Sequence, residues 1–317
     1  MNIVTELMEA ARGAGGRVVL PEGDDVRVVA AARQLVAEDL AIPVLLGAEG
    51  NPGAGIELCE PAEDPRFEAY VDVLSANSKH TSGEAAALLQ DPLYFAGMMV
   101  REGDADALLA GAANPTADVL RAGLKTVGLA EGIRRMSSFF LMAVPDVAGE
   151  GPRNFIFADC AVNIDPGPED LADIAIASAA TAARWLNETP RVAMLSFSTR
   201  GSADHDHIDK VTAALEVATA RAPDLAIDGE LQLDSAIIPT VAARKVTGNS
   251  KVAGRANVLI FPDLDSANIG YKLTQYMGNA QAIGPFLQGF ARPVCDLSRG
   301  ASVADIVSAS AITLAMG

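Results

Sequence analysis

The amino-acid sequence predicts an α/β protein, and three observations support that prediction. Short runs rich in valine, leucine and isoleucine alternate with alanine-rich segments of helical periodicity along all 317 residues. Hydrophobic residues make up 50% of the chain and aromatic residues only 5%, so the core is expected to be aliphatic. No internal repeat or low-complexity linker interrupts the alternation. A parallel sheet with right-handed crossovers, in one large domain or two, is the architecture that this pattern predicts.

The individual elements follow from apolar runs bounded by turn residues, and from longer amphipathic segments that open with capping residues. Strands are expected at 17–20, 42–47, 56–59, 105–110, 139–142, 155–163, 227–232, 258–263 and the first part of 191–202. Helices are expected at 1–11, 26–37, 67–75, 83–89, 91–100, 168–186, from 267 onward and at 303–316.

Charge and cysteine content exclude several classes of protein. The net charge of −17 argues against binding to nucleic acid or to anionic membrane surfaces. No stretch of 18 uncharged apolar residues and no signal peptide is visible, so a cytoplasmic location is expected. Three scattered cysteines without a CxxC pair indicate a reducing compartment, with neither a disulfide framework nor a zinc site.

Common ligand motifs are also missing from the sequence. It contains no GxGxxG, GxxxxGK[ST], GxSxG or HExxH, which removes the usual dinucleotide, P-loop, hydrolase and zinc-protease interpretations. What remains is a set of strand-end loops that offer serine, threonine, glycine and arginine. Such loops favour an anionic ligand bound at the carboxyl ends of the strands.

The most informative of these loops is Ser298-Arg299-Gly300, between an apolar run and the helix predicted at 303–316. Helix N–H groups attract anions, Gly300 permits close approach of a ligand, and Arg299 offers a planar fork to phosphate or carboxylate. Asp305 follows one turn into the helix. It is a candidate catalytic carboxylate, but Ser302-x-x-Asp305 also matches a capping box, and the spacing by itself favours the capping role.

A second loop, 111–118, follows the strand predicted at 105–110. Asn114 suits a helix N-cap and Pro115 the first helical position, which places Thr116 at a positive helix end. Arg121 lies one turn further on; the alternative for it is a weak surface pair with Asp118. The loop of 196–202, which begins with Ser196, is a further candidate for ligand contact.

Other polar groups carry weaker hypotheses. His205 and His207 fit a solvated helix start better than a metal site. Asp228 and Glu230 form an isolated acidic pair, and Cys160 fits a buried strand end better than a nucleophile.

Several runs of residues together identify a family resemblance. Five lie in the last third of the chain: DGELQLD at 228–234, SKVAGRANVLIFPD at 250–263, ANIGYKL at 267–273, AIGPFLQG at 282–289 and DLSRG at 296–300. Others are LPEG at 20–23, DPLYF at 91–95, FADCAVN at 157–163, and the segments 114–124 and 196–203. In these runs the chain resembles the phosphate acetyltransferase (phosphotransacetylase) family over nearly its whole length.

The resemblance implies a fold and an activity. The fold is two α/β/α domains with a cleft between them, similar to isocitrate and isopropylmalate dehydrogenases. The first domain would take 1–132 and 286–317, and the second 133–285. The activity is reversible transfer of acetyl between acetyl phosphate and coenzyme A, with acetyl-CoA and phosphate as the other substrate pair. The resemblance implies no metal or other cofactor, and a homodimer.

The resemblance also implies roles for the candidate residues. Arg299 would hold acetyl phosphate and offset charge on the carbonyl oxygen, Ser298 would donate a hydrogen bond, and Asp305 would take the thiol proton. Thr116 and Arg121 would complete a phosphate pocket; Asn114, Ser196 and Gly300 are the further substrate-binding candidates.

The sequence departs from the family pattern at 78–82, where an arginine linked to coenzyme A or phosphate is missing, so that contact is expected to be weaker or to be made by Lys79. Ala301 stands where the family often has a cysteine. Two alternatives therefore stay open: an acyltransferase for longer chains such as butyryl, and a non-catalytic module that senses acetyl-CoA.

Overall fold

The computed structural model describes residues 3–48, 50–76, 80–131 and 133–315. Its strands are β1 (Arg17–Leu20), β2 (Ile42–Leu46), β3 (Glu57–Cys59), β4 (Ala107–Ala110), β5 (Ser137–Val144), β6 (Arg153–Ala158), β7 (Val192–Leu195), β8 (Ile227–Leu231), β9 (Val258–Ile260), β10 (Gln281–Gln288) and β11 (Val294–Asp296). Its helices are α1 (Ile3–Ala11), α2 (Val26–Ala37), α3 (Phe67–Ala76), α4 (Ser82–Leu89), α5 (Pro92–Glu102), α6 (Thr116–Thr126), α7 (Pro168–Trp185), α8 (Asp206–Arg221), α9 (Leu233–Ile237), α10 (Pro239–Lys245), α11 (Leu264–Tyr276) and α12 (Val303–Leu314). The α/β class that the sequence predicts is confirmed.

The chain divides into two compact units. Unit 1 comprises Met1–Arg134 and Gly284–Gly317, and unit 2 comprises Arg135–Ile283. In unit 1 the strands lie in the order β3-β2-β1-β4-β11-β10, and in unit 2 in the order β5-β6-β9-β7-β8. Within the described residues, no helix combines the length and the apolar character that a membrane crossing requires.

The prediction of a fully parallel sheet is wrong at two places. In unit 1, β10 runs antiparallel to β11, and in unit 2, β5 runs antiparallel to β6. Both pairs are joined by short connections, 289–293 and 145–152. A short connection can join only antiparallel neighbours, because a parallel crossover needs a dozen or more residues. The other pairs of named strands recorded within each unit are parallel.

Local sequence signals account for most helix starts. Asp91 caps α5 by accepting the Leu93 N–H at 2.9 Å, and Pro92 takes the first helical position, as predicted. Helix α11 begins at Leu264, earlier than the predicted start at 267, because Asp263 supplies its N-cap. The strand predicted at 155–163 ends at Ala158, and the next residues turn around the buried carboxylate of Asp159.

The buried cores are mostly aliphatic, as the composition predicts, but phenylalanine fills part of each. In unit 1, α12 packs against α1 and α2, and its buried residues are aliphatic except for Ser310 and Thr313. In unit 2, one buried cluster combines Phe140 and Met142 of β5 with Phe155 and Phe157 of β6. The strands are therefore held by packed cores, which fix the positions of the loops at the carboxyl ends of the strands.

Candidate active site

The loop between β11 and α12 carries the first group of predicted site residues. Ser298, Arg299 and Gly300 are all exposed, and α12 begins immediately afterwards at Val303 with Ser302 as its N-cap. The Gly300 N–H donates to Ser298 Oγ at 3.3 Å. Because that bond uses a lone pair of the hydroxyl, the hydrogen of Ser298 Oγ is left to point at a ligand.

Asp305 forms the capping box that the sequence left as an alternative. Its Oδ2 accepts the Ser302 N–H at 2.9 Å and the Ser302 hydroxyl at 2.8 Å, and the Asp305 N–H donates to Ser302 Oγ at 3.2 Å. Both bonds to the carboxylate fall on Oδ2. Oδ1 takes no bond from any residue that the structure describes, so the exposed carboxylate keeps one oxygen for another partner.

The loop after β4 binds the carboxylate of a glutamate from the same chain. Glu22, only 3% exposed, follows β1 and directs its carboxylate at this loop. It accepts the N–H groups of residues 111, 112, 113 and 114 at 2.7–3.0 Å, and the Asn114 side-chain amide at 2.9 Å. These N–H groups are therefore unavailable to a substrate. Sequence reasoning missed Glu22, although a charged residue directly after a buried strand is a signal that could have found it.

The predicted cap of α6 is displaced by one residue. Asn114 is not the N-cap: α6 begins at Thr116 and Pro115 occupies the N-cap position, its carbonyl accepting the Asp118 N–H at 2.9 Å. The Asn114 side chain cannot cap the helix because it is committed to Glu22. Thr116 still lies at the helix start, half-exposed, as the sequence predicted.

The two loops meet because β4 and β11 are neighbouring parallel strands, with Ala110 in register with Asp296. Arg299 Nη1 donates to the Asn114 carbonyl at 3.1 Å. Thr116 Oγ1 donates to Asp296 Oδ2 at 2.6 Å. Within unit 1 the structure thus brings Asn114 and Thr116 together with the Ser298–Gly300 loop.

Arg121 makes the surface pair that was its alternative. Its guanidinium contacts the carboxylate of Asp118 one turn earlier on α6, and the two side chains are 56% and 43% exposed. A pair this exposed contributes little to stability, so the side chain can exchange Asp118 for another anion at small cost.

Arg27 holds the two loops in place, and sequence reasoning missed it. From the first turn of α2 it donates to the carbonyls of Arg299 at 2.7 Å, Ala301 at 3.0 Å and Ala112 at 2.8 Å. Asp25 orients the guanidinium through hydrogen bonds, which in turn hold the pKa of that carboxyl below its usual value. Nothing in the sequence marks Arg27, because its partners lie as many as 274 residues away.

We expect Arg27→Ala to lower kcat/KM by at least about tenfold and to lower the free energy of unfolding by about 1–3 kcal/mol, since three carbonyls lose a charged donor. Arg33→Ala is the matched control: Arg33 lies on the same helix and donates to the Pro52 carbonyl at 2.7 Å. Denaturant melts and steady-state kinetics would compare the two. Equal losses of activity in both variants would contradict the positioning role of Arg27.

Ser196 belongs to unit 2, at the end of β7. It lines a cavity of about 300 Å³ together with Phe197, Leu233 and Phe261. The rest of its loop is bound internally: Ser198 Oγ donates to Glu230 at 2.7 Å, and the Gly201 N–H donates to the same carboxylate at 2.8 Å. Glu230 therefore accepts hydrogen bonds from this loop, as Glu22 does from the loop after β4.

The weaker sequence candidates take structural positions. Asp228 binds Arg200 and the hydroxyl of Ser250. Cys160 is fully buried, and burial raises the pKa of its thiol well above the ordinary value. His205 caps α8 by accepting the His207 N–H at 3.1 Å. Ser78 and Lys79, where the family arginine is missing, lie outside the described residues.

Known proteins match this chain over nearly its whole length. The family model described as "Phosphate acetyl/butaryl transferase" matches residues 2–314. The chain belongs to this family. A relative named phosphate acetyltransferase, from Thermoanaerobacterium thermosaccharolyticum, is 47% identical over 99% of this chain and 98% of its own.

Two solved structures that are named phosphotransacetylases are similar to this chain in sequence and in fold. A phosphotransacetylase from Streptococcus pyogenes is 42% identical, with a TM-score of 0.89, over 99% of this chain and 97% of its own. One from Staphylococcus aureus is 39% identical, with a TM-score of 0.89, over 99% of this chain and 98% of its own. The family resemblance inferred from the sequence motifs is thereby confirmed.

Proposed function

We propose that this chain is a phosphate acetyltransferase that moves an acetyl group reversibly between acetyl phosphate and the thiol of coenzyme A. One observation carries the proposal: Arg299 contacts Asn114 across neighbouring strand ends. Ser298 lies on the same loop as Arg299, and Asp305 lies in the first turn of the helix that follows this loop. This places a fixed cation, a hydroxyl donor and a carboxylate around one exposed loop. Those are the groups that acyl transfer from a phosphate anhydride to a thiol requires.

The chemistry starts at the thiol. Asp305 takes the proton of the coenzyme A thiol, whose pKa is about 8.5 if it resembles cysteine. The thiolate attacks the acetyl carbon, a C–S bond forms, and negative charge moves to the carbonyl oxygen. The C–O bond to phosphate then breaks and phosphate leaves with the bonding electrons. No covalent bond to the protein forms, and the reverse reaction follows the same path.

Arg299 and Ser298 stabilise the charge that develops. The guanidinium offers a planar fork to the acetyl phosphate, and the Ser298 hydroxyl donates from the side set by its bond to Gly300. Gly300 carries no side chain, so the reacting groups can come close to the backbone. No metal or other cofactor takes part in these steps, and coenzyme A enters as a substrate.

Asp305 acts as a base while it caps the helix. The two donors on Oδ2 fix the direction of the carboxylate, which leaves Oδ1 to accept the thiol proton. The positive charge of Arg299 favours the thiolate, and the fixed orientation of Asp305 lowers the entropic cost of the proton transfer.

Thr116, Arg121 and Asn114 form the phosphate side of the site. Thr116 is half-exposed and offers a hydroxyl, Arg121 offers an exposed guanidinium that pairs with Asp118, and Asn114 fixes Arg299 through its carbonyl. Ser196 provides a substrate contact on unit 2, at the cavity beside Phe197. The contact of the missing family arginine is either weaker or made by Lys79.

The experiment is coenzyme-A-dependent thioester formation from acetyl, propionyl and butyryl phosphate, with and without EDTA, followed by absorbance of the thioester. We expect robust turnover that is fastest with acetyl phosphate and unchanged by EDTA. Preference for butyryl phosphate would replace the acetyl assignment. Absence of turnover with any substrate, despite binding of acetyl-CoA, would overturn the enzyme and leave a sensing module.

We further propose that the protein functions in the cytoplasm and as a homodimer. What supports the dimer is an apolar face of α11 and its C-cap. Ile269, Leu273, Tyr276 and Met277 are each more than half exposed and share one side of the helix. An apolar stripe of this kind marks a site of association, and a second copy of the chain is the partner that we propose.

Replacing Leu273 with aspartate is expected to convert the dimer to a monomer, since the charge would be buried unpaired in the interface. Analytical ultracentrifugation would measure the mass of the wild type and the variant. Lys272→Ala, one residue away on the same helix, is the control and should stay dimeric. A wild type with the mass of one chain would contradict the proposal.

A further inference from the structure

Asp296 is a buried carboxyl at the end of β11, directly beneath the proposed phosphate side of the site. It is 1% exposed and lies in register with Ala110 of β4. Gly111 packs against it so closely that a Cβ there would come within 2.5 Å of Asp296 Oδ1. Burial raises the pKa of Asp296 to about 6. The carboxyl is therefore held in a tight, dry position next to the surface.

The two oxygens of Asp296 have unequal surroundings. Oδ2 lies 2.6 Å from Thr116 Oγ1, an ordinary O–H···O separation at which a neutral Asp296 or Thr116 can be the donor. Oδ1 is buried and has no hydrogen-bond partner among the described residues. Thr116 is half-exposed, so its hydroxyl joins the buried carboxyl to the surface where phosphate is proposed to bind.

The charged and polar groups that face Asp296 come from three elements, β1, β11 and α6. Glu22, after β1, disfavours its ionisation and Arg299, after β11, favours it. The buried thiol of Cys295, on β11 itself, is the neighbouring titratable group. The hydrogen bond from Thr116 of α6 stabilises the ionised form, but loss of solvation has the larger effect. Burial thus brings the ionisation of Asp296 closer to neutrality.

We propose that Asp296 is a positioning residue that sets the direction of the Thr116 hydroxyl and thereby the binding of the phosphate group. When Asp296 is neutral, its own O–H donates to Thr116 Oγ1, and the Thr116 O–H is free to donate to a phosphate oxygen. When Asp296 is ionised, Thr116 donates inward and turns lone pairs toward the phosphate. The inference rests on the proposed function, which places phosphate at Thr116.

Linkage fixes the sign of the effect. If the neutral form of Asp296 binds the phosphate group better, binding favours protonation and a proton is taken up. As the pH rises through the pKa of Asp296, about 6, the neutral form is lost and KM for acetyl phosphate increases. One linked proton limits that increase to about tenfold per pH unit. KM for coenzyme A carries no such component, because the thiol does not contact Thr116 in the proposed mechanism.

The test compares KM for acetyl phosphate from pH 5.5 to 7.5 in the wild type, Asp296→Asn, Thr116→Ser and Thr116→Val, each checked for folding. Titration of the substrate affects every variant equally, so differences between their profiles report Asp296. We expect a several-fold rise in KM in the wild type and in Thr116→Ser. In Asp296→Asn, whose amide donates at every pH, KM should stay near the low-pH wild-type value. In Thr116→Val, KM should be higher than the low-pH wild-type value and should not show the increase with pH.

Two results would overturn the role of Asp296. If KM for acetyl phosphate in Asp296→Asn exceeded the wild-type KM by the same factor at every pH, the role of Asp296 would be purely structural. A wild-type slope that persists in Thr116→Val would show that another group titrates; this comparison also decides the question if Asp296→Asn fails to fold. Absence of wild-type turnover is a different result, since it removes the proposed function and this inference with it.

Discussion

Arg299→Gln is expected to lower kcat/KM for acetyl phosphate by about 10²–10³-fold. The substitution removes the fixed charge that faces the developing oxyanion and the phosphate, and the loss of one such donor typically costs about 3–4 kcal/mol. Glutamine can still donate to the Asn114 carbonyl, which now accepts from Arg299 at 3.1 Å, so the loop is expected to stay in place. Steady-state kinetics with each substrate varied in turn would measure the effect.

Arg101→Gln is the control for Arg299. Arg101 also donates one guanidinium N–H to a carbonyl, that of Thr126 at 3.0 Å, but it lies on α5 and has no proposed role. It should keep kcat/KM within about twofold. If Arg299→Gln retained activity to the same extent, Arg299 would not act on the reacting groups.

Asp305→Asn is expected to lower kcat by about 10²–10⁴-fold, the range attributed to a positioned general base. The asparagine carbonyl can still accept from Ser302, so most of the capping box is retained. Activity of the variant should rise with pH toward about 8.5, because solvent then ionises the thiol without the base. A pH–rate profile of kcat in the wild type and the variant would measure both effects.

Ser302→Ala separates the base from the cap. It removes the hydroxyl that donates to Asp305 but leaves the carboxylate, so unfolding should become easier by about 1 kcal/mol while kcat changes only a few-fold. The opposite pattern, with an active Asp305→Asn and an inactive Ser302→Ala, would make Asp305 a cap and nothing more. Thermal melts of both variants would measure the cost in stability.

Sequence reasoning succeeded where a signal is local. The cap at Asp91, the start of α12 after Ser302 and the buried strands each depend on residues within one turn or one run. It failed where two local rules compete for one side chain. Asn114 satisfies the rule for an N-cap, yet it binds Glu22, a choice that depends on a residue 92 positions away.

By itself the sequence determined the α/β class, the family and the composition of the Ser298–Gly300 loop, because periodicity and contiguous motifs are written in neighbouring residues. Only the tertiary structure decided which groups surround that loop. The parallel pairing of β4 with β11 brings Asn114 to Arg299, and the packing of α2 brings Arg27 to the carbonyls of Arg299 and Ala112, one in each loop. It also decided that the strand-end amides after β4 bind Glu22. Buried N–H groups must find an acceptor, and the nearest one is set by the fold rather than by the order of residues along the chain.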